Sequence, residues 1–259
     1  MPDSLDMSGK VVIVTGGGRG VGRGISTRFL EAGASVVICG RKDPEELPSG
    51  GGREALFTPA DVREIEQIDG VVAFTLERYG RIDVLVNNAG GAPEAEAATV
   101  SPRFSESVIR LNLTAPLNFA QRANAVMQGQ EEGGIIINIS SVSGIRPSPG
   151  TAAYGAAKAG LVSLTQTLAL EWAPRVRVNA ITAGMIRTEL AHLHYGDEAS
   201  IARISATVPL GRLGEPRDVG DVCLFLASPL SSYISGSNIL MHGGGEKPAF
   251  LDAAKNTSS

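Results

Sequence analysis

Basic blocks, long apolar runs and cysteines are all scarce in this chain, and each scarcity removes a class of function. Among 259 residues, 23 lysines and arginines face 27 aspartates and glutamates, a formal net charge of −4. With no lysine–arginine block, there is no electrostatic footprint for nucleic acid or for an anionic membrane surface. No apolar run approaches the ~20 residues that a membrane-spanning helix needs. The opening Met1-Pro2-Asp3-Ser4-Leu5-Asp6 is acidic and has no apolar stretch, unlike a secretion signal or a basic targeting helix. Two cysteines are present, Cys39 in a β-branched run and Cys223 in an apolar helical pattern. This predicts reduced, buried thiols and a cytoplasmic setting, so Asn-x-Ser/Thr at Asn112, Asn138 and Asn256 are accidental matches. No Pro- or Ser-rich linker divides the chain, which predicts one domain over 1–259 with flexible ends at about 1–7 and 247–259.

What is present begins with a short β-branched run over 10–15, read as a buried strand, that feeds Gly16-Gly17-Gly18-Arg19-Gly20-Val21-Gly22. Gly16 permits a tight turn, Gly20 lets the backbone approach a pyrophosphate, and Gly22 lets the next helix sit close to the strand. That helix, about 21–31, presents its N-terminal amides to the phosphates. A glycine-rich loop alone is weak evidence, but strand, loop and helix stand in the order a nucleotide cradle needs.

A second strand over 35–39 ends where a dinucleotide fold selects its cofactor. NAD-preferring sites place a carboxylate there; this chain has Gly40 and then Arg41. Arg41 and Arg19 form a pair able to clamp a 2′-phosphate, which favours NADP(H) over NAD(H).

The run Tyr154-Gly155-Ala156-Ala157-Lys158, downstream of Ser141, sets a phenol and an ammonium on one helix face. A free tyrosine has a pKa of about 10, and a fixed cation lowering it by roughly three units supplies on the order of 4 kcal/mol. The expectation is a tyrosine usable as an acid near neutral pH. An isolated Tyr-x-x-x-Lys is usually a polar surface turn; its company here decides otherwise.

With these motifs in order, the chain resembles the short-chain dehydrogenase/reductase family, and is similar to its 3-ketoacyl-(acyl carrier protein) reductase branch. The resemblance spans roughly 7–245 and rests on the glycine loop from Thr15 to Gly22, Asp61-Val62, Asn87-Asn88-Ala89-Gly90, Asn112, Ser141, and Tyr154 with Lys158. It implies that Asp61 and Val62 flank the adenine and that Asn88, Ala89 and Gly90 line the cofactor channel. It implies further that Ser141 bonds the substrate oxygen, Tyr154 is the acid or base, and Lys158 binds the nicotinamide ribose. Asn112 then holds a water linking Lys158 to solvent. Thr188, in Gly184-Met185-Ile186-Arg187-Thr188, meets the nicotinamide carboxamide, with Ile186 beside it in the cofactor site. The implied partner is a small carbonyl or alcohol substrate, and the implied assembly a homotetramer built on the helices over 102–127 and 153–172. Two positions depart from the family pattern. Ala183 replaces a usual proline and predicts a looser loop start, and His242 replaces a usual aspartate after the last strand.

Further strand signals fall near 55–58, 82–87, 135–139, 176–181 and 238–241, with helices over 64–79, 102–127, 153–172 and 216–227 between them. This alternation predicts an α/β fold, a single doubly wound Rossmann domain whose seven parallel strands run 3-2-1-4-5-6-7 with helices on both faces. Residues 185–214, too long for an ordinary connection and rich in leucine, read as a substrate lid. His192 and His194 diverge on a helix and lack an acidic or cysteine partner at ligand spacing, so no metal is expected. Phe250 and Leu251 are candidates to dock on a neighbouring subunit.

The expected reaction is hydride transfer between NADP(H) and a ketone or secondary alcohol (a ketoacyl thioester, a steroid-like ketone or another apolar carbonyl). An enoyl reductase is the nearest alternative among enzymes, though its relatives usually space tyrosine and lysine more widely. A non-catalytic cofactor sensor of the same fold is the rival outside enzymes, and it is expected to lack one of Ser141, Tyr154 or Lys158.

Overall fold

The computed structural model describes residues 4–248 and Phe250, with the His194 side chain outside that set. Leu251 and Asn256 lie outside the described residues.

Seven strands form the sheet: β1 Val11–Thr15, β2 Ser35–Gly40, β3 Leu56–Pro59, β4 Val84–Asn87, β5 Gly134–Ser141, β6 Val176–Ala183 and β7 Asn238–Met241. Their spatial order is β3-β2-β1-β4-β5-β6-β7 and every pairing is parallel. This is the doubly wound Rossmann arrangement expected, with its reversal of strand order between β1 and β4, where such sheets bind ligands. β1 is buried along its whole length, as a central parallel strand covered on both faces requires.

Strand alternation divides the core. Val12, Val14, Val36 and Ile38 pack on one face with Ile25, Phe29 and Leu224, whereas Ile13, Val37 and Cys39 pack on the other with Ile68, Phe119 and Leu168. The covering helices are α1 Gly20–Glu31 and α8 Pro216–Ala227 on the first face, and α2 Ile65–Tyr79, α4 Ala115–Met127 and α5 Ala152–Glu171 on the second. Cys39 and Cys223 are free and buried, and burial pushes the Cys39 thiol up to about 12.

The helix expected over 102–127 is interrupted. α3 Pro102–Ile109 passes through one π turn, Arg110–Thr114, before α4 begins. Asn112 sits in that turn, and its Nδ2 donates to the Val108 carbonyl at 2.9 Å, the acceptor that an ordinary α-helical ladder assigns to the Asn112 amide. Periodicity does not register this competition, because it changes no apolar position.

Two more features escape hydrophobic patterning. A small antiparallel hairpin pairs Ser49–Gly50 with Arg53–Glu54. The long connection 185–214 contains α6 His192–Tyr195 and α7 Glu198–Thr207, the latter capped by the Asp197 carboxylate accepting from the Ser200 amide at 2.8 Å. These pack a small cluster of Ala191, Ile201, Val208 and Leu213. The connection is closed at its base by a parallel bridge between Ile186 and Gly214. The looser start expected at Ala183 is not found. Ala183 is a buried strand residue paired with Met241, and the Gly184 amide continues the ladder to the Met241 carbonyl at 2.8 Å. The sheet bonding holds this backbone without a proline.

Candidate active site

The glycine loop is fixed from the neighbouring strand. Thr15 Oγ1 accepts from the Asn88 and Ala89 amides, both at 2.9 Å, and Asn88 Nδ2 donates to the Thr15 carbonyl at 2.9 Å. The ends of β1 and β4 are thereby tied together at the reversal of strand order. A Cβ on Gly22 would stand 2.2 Å from the Gly16 carbonyl oxygen and 2.6 Å from Asn88 Nδ2, so only glycine lets α1 start this close to the strand. Gly16 itself donates to the Cys39 carbonyl at 2.8 Å, and half-buried Val21 opens the helix beside it. Close backbone approach together with the amides of a helix N-terminus fits the phosphates of a dinucleotide.

Beyond the C-terminal ends of β1 and β2, Arg19 and Arg41 are both exposed and neither forms an ion pair among the described residues. Asp61 is different. Arg63 grips its carboxylate with Nε at 2.9 Å and Nη2 at 2.5 Å, and this bond, aided by the Arg41 charge, holds the Asp61 carboxyl below the usual carboxylate range. Val62 is buried between them. Arg63 was not a sequence candidate; its signal was the Asp-x-Arg spacing, which suits a bidentate pair.

Deeper in the cleft, Ser141 ends β5 and Tyr154 lies in the first turn of α5. The Ser141 hydroxyl bonds the phenol and accepts from the Ser143 amide at 3.2 Å. One helical turn on, Lys158 places Nζ 5.6 Å from the centre of the Tyr154 ring and donates to the Ile139 carbonyl at 2.8 Å. Asn112 Nδ2 donates to the carbonyls of Gly91 and Val108, and Oδ1 accepts from the Gly91 amide. Both amide hydrogens are thus committed to protein, and a water could meet this side chain only at the remaining Oδ1 lone pair. A Cβ on Gly90 would lie 2.7 Å from Asn112 Oδ1 and 3.2 Å from Lys158 Nζ, which locates all three at one point.

The electrostatics correct one expectation. Burial pushes the Tyr154 phenol up from its ordinary value; the Ser141 bond opposes this and the Tyr195 phenol adds to it. Lys158 lies beside the ring but does not produce the downward shift expected of it. Burial pulls the ammonium itself down to about 8, because the same enclosure that brings the pair together penalises the cation.

The 185–214 connection meets the glycine loop through Thr188, whose methyl carbon would be 3.5 Å from a Cβ on Gly20. Ile186 sits at the bridge to Gly214, and its backbone bonds the Tyr195 phenol. Among the described residues no cluster of histidine, cysteine and carboxylate side chains has metal-binding geometry.

A cradle at the strand-order reversal, joined to a Ser–Tyr–Lys group along the same sheet edge, defines a dinucleotide-dependent oxidoreductase class. Comparison with known proteins agrees. A family model described as Enoyl-(Acyl carrier protein) reductase matches residues 16–246. The chain is 38% identical over 250 residues to the 3-oxoacyl-[acyl-carrier-protein] reductase of Thermotoga maritima, covering 93% of this chain and 99% of that one. It is 37% identical over 251 residues to 3beta-hydroxysteroid dehydrogenase 1 of Eggerthella lenta, covering 92% and 94%. The ligand-free aldohexose dehydrogenase of Thermoplasma acidophilum superposes with a TM-score of 0.86 at 31% identity, covering 93% and 95%. The chain belongs to the short-chain dehydrogenase/reductase family, whose members use nicotinamide cofactors, and it is an oxidoreductase of the kind acting on alcohol and ketone groups.

Proposed function

We propose that this protein reduces a ketone, reversibly, at the expense of NADPH, with Tyr154 as the proton donor and Ser141 as the second grip on the substrate oxygen. The observation that carries the reading is the half-buried Tyr154 phenol bonded to Ser141 with the Lys158 ammonium beside its ring. A phenol held above its ordinary pKa is protonated at neutral pH, the state a donor needs at rest. When bound, the reduced dinucleotide supplies the hydride. Tyr154 gives its proton to the carbonyl oxygen, the Ser141 bond stabilises the resulting phenolate, and Lys158 holds the nicotinamide ribose. Asn112 holds the loop that carries Gly90 against Lys158. Gly16, Gly20, Val21, Gly22, Asn88, Ala89, Gly90, Asp61, Val62, Ile186 and Thr188 line the cofactor path. Arg19 and Arg41, neither in an ion pair among the described residues, favour the 2′-phosphate of NADP(H).

Residues 185–214 act as the substrate lid of a single cofactor-binding and catalytic domain, and Met185, Ile186 and Tyr195 suit an apolar carbonyl. Relatives named for 3-oxoacyl thioesters and hydroxysteroids support that choice. The assembly is a homotetramer in the cytoplasm, built on the faces of α4 and α5; Leu170 on α5 is 84% exposed in the single chain.

The test is spectrophotometric NADPH oxidation with a 3-oxoacyl thioester, a 3-ketosteroid or an enoyl thioester. A ketone should support turnover, and Tyr154→Phe should lower it by roughly 10²- to 10⁴-fold while dinucleotide binding stays within about twofold. Undiminished turnover in Tyr154→Phe, or oxidation with the enoyl thioester alone, removes the reading.

A further inference from the structure

The N-terminus of α1 already carries an anion from its own chain. The Gly20 amide donates to Glu189 Oε1 at 2.9 Å, across 169 positions of sequence. Nothing local does this job: α1 has no acidic residue in its first turn, and Arg19 makes no side-chain capping bond. The contact is also selective. Arg187, Arg23 and Arg217 line the same cavity, yet they pair with Glu198 at 2.9 Å, Glu46 at 3.4 Å and Glu31 at 3.2 Å. Glu189 pairs with no cation among the described residues and takes the amide instead.

We propose that Glu189 occupies the position of the cofactor's pyrophosphate and must leave it before the dinucleotide can dock, so that cofactor arrival moves the base of the 185–214 segment. The inference rests on the dinucleotide-binding reading above and adds a regulatory element to that site. A carboxylate and a pyrophosphate cannot share one helix N-terminus, since both need the same amide and repel one another. Glu189 directly follows Thr188, which lies against Gly20, so displacing the carboxylate shifts the residue that reaches over the cofactor loop. Room to withdraw exists: Glu189 and Gly20 line a cavity of about 640 Å3 bounded also by His192 and Pro216.

The sign of one measurement separates this role from simple capping. A residue that only stabilises α1 weakens cofactor binding when removed; a competitor strengthens it. Titration of nicotinamide fluorescence should show E189A and E189Q binding NADPH about two- to fivefold more tightly than wild type, the usual worth of an exposed charge at a helix end. Unchanged or weaker affinity in both variants overturns the proposal. Hydrogen exchange on the unliganded protein gives a readout independent of the cofactor. Peptides covering 185–214 should exchange faster in E189A, and wild-type protection there also overturns it. If wild type binds neither NADPH nor NADH, the functional reading of the site has failed, while the exchange data still decide whether Glu189 tethers the segment.

Discussion

Asn112 and Gly91 exchange two hydrogen bonds, Oδ1 accepting from the glycine amide and Nδ2 donating to its carbonyl, both at 2.9 Å. The pair pins the loop after β4 to the π turn between α3 and α4, and so holds Gly90 against Lys158. Asn112→Ala removes these bonds and the one to Val108, leaving loop groups without partners. Calorimetry should find a loss of about 2–4 kcal/mol with a matching fall in turnover, and a change below about 1 kcal/mol would mean the loop is held by other contacts.

Gly22→Ala should damage the cradle without touching any proton-transfer residue. The new methyl meets the Gly16 carbonyl oxygen at 2.2 Å, and that oxygen is backbone that cannot rotate aside. Loop displacement costing about 1–3 kcal/mol weakens dinucleotide binding by roughly five- to hundredfold. Wild-type affinity in a fluorescence titration would show that α1 can retreat from the strand.

The proposed preference for NADP(H) rests on Arg19 and Arg41, neither of which forms an ion pair among the described residues. Arg41→Ala and Arg19→Ala should each raise KM for NADPH by about tenfold or more, because a charge-assisted bond to phosphate is worth about 1.5–3 kcal/mol. KM for NADH should stay within about twofold. Equal losses for both coenzymes would place these arginines on a part of the dinucleotide that the two share.

Lys158 makes stability depend on pH in a stated direction. Its folded pKa, about 8, lies below the ordinary 10.5, so the unfolded chain binds the proton more tightly. The penalty for enclosing the cation is full below pH ~8 and is relieved as pH rises from there toward the unfolded value. Against Lys158→Met, wild type should gain roughly 1 kcal/mol in urea unfolding between about pH 7.5 and 9. A constant difference over that interval would show that the ammonium is solvated.

Most of the sheet was legible in the chain because its five central strands, β2, β1, β4, β5 and β6, are largely buried apolar runs rich in valine and isoleucine, and such runs announce themselves without reference to distant residues. Both β7 and α8 fall where periodicity places them. The site was legible in part: Ser141, Tyr154 and Lys158 do converge. The Arg63 grip on Asp61, the Asn112 bonds to Gly91 and the Glu189 contact with Gly20 were not, although each uses residues visible in the sequence. Polar bonds leave no periodic trace, and the last two also join segments far apart in the chain.

The amino-acid order by itself determined the alternation of strands and helices, the glycine positions that only a bare backbone can fill, and the identity of the chemical groups at the cleft. Tertiary structure alone decided their protonation and partners. It enclosed Tyr154 and Lys158 so that the phenol moved up and the ammonium down, and it laid the Glu189 carboxylate on the N-terminus of α1. Burial and distance are properties of the packed molecule, and no spacing along a chain encodes the dielectric around a side chain.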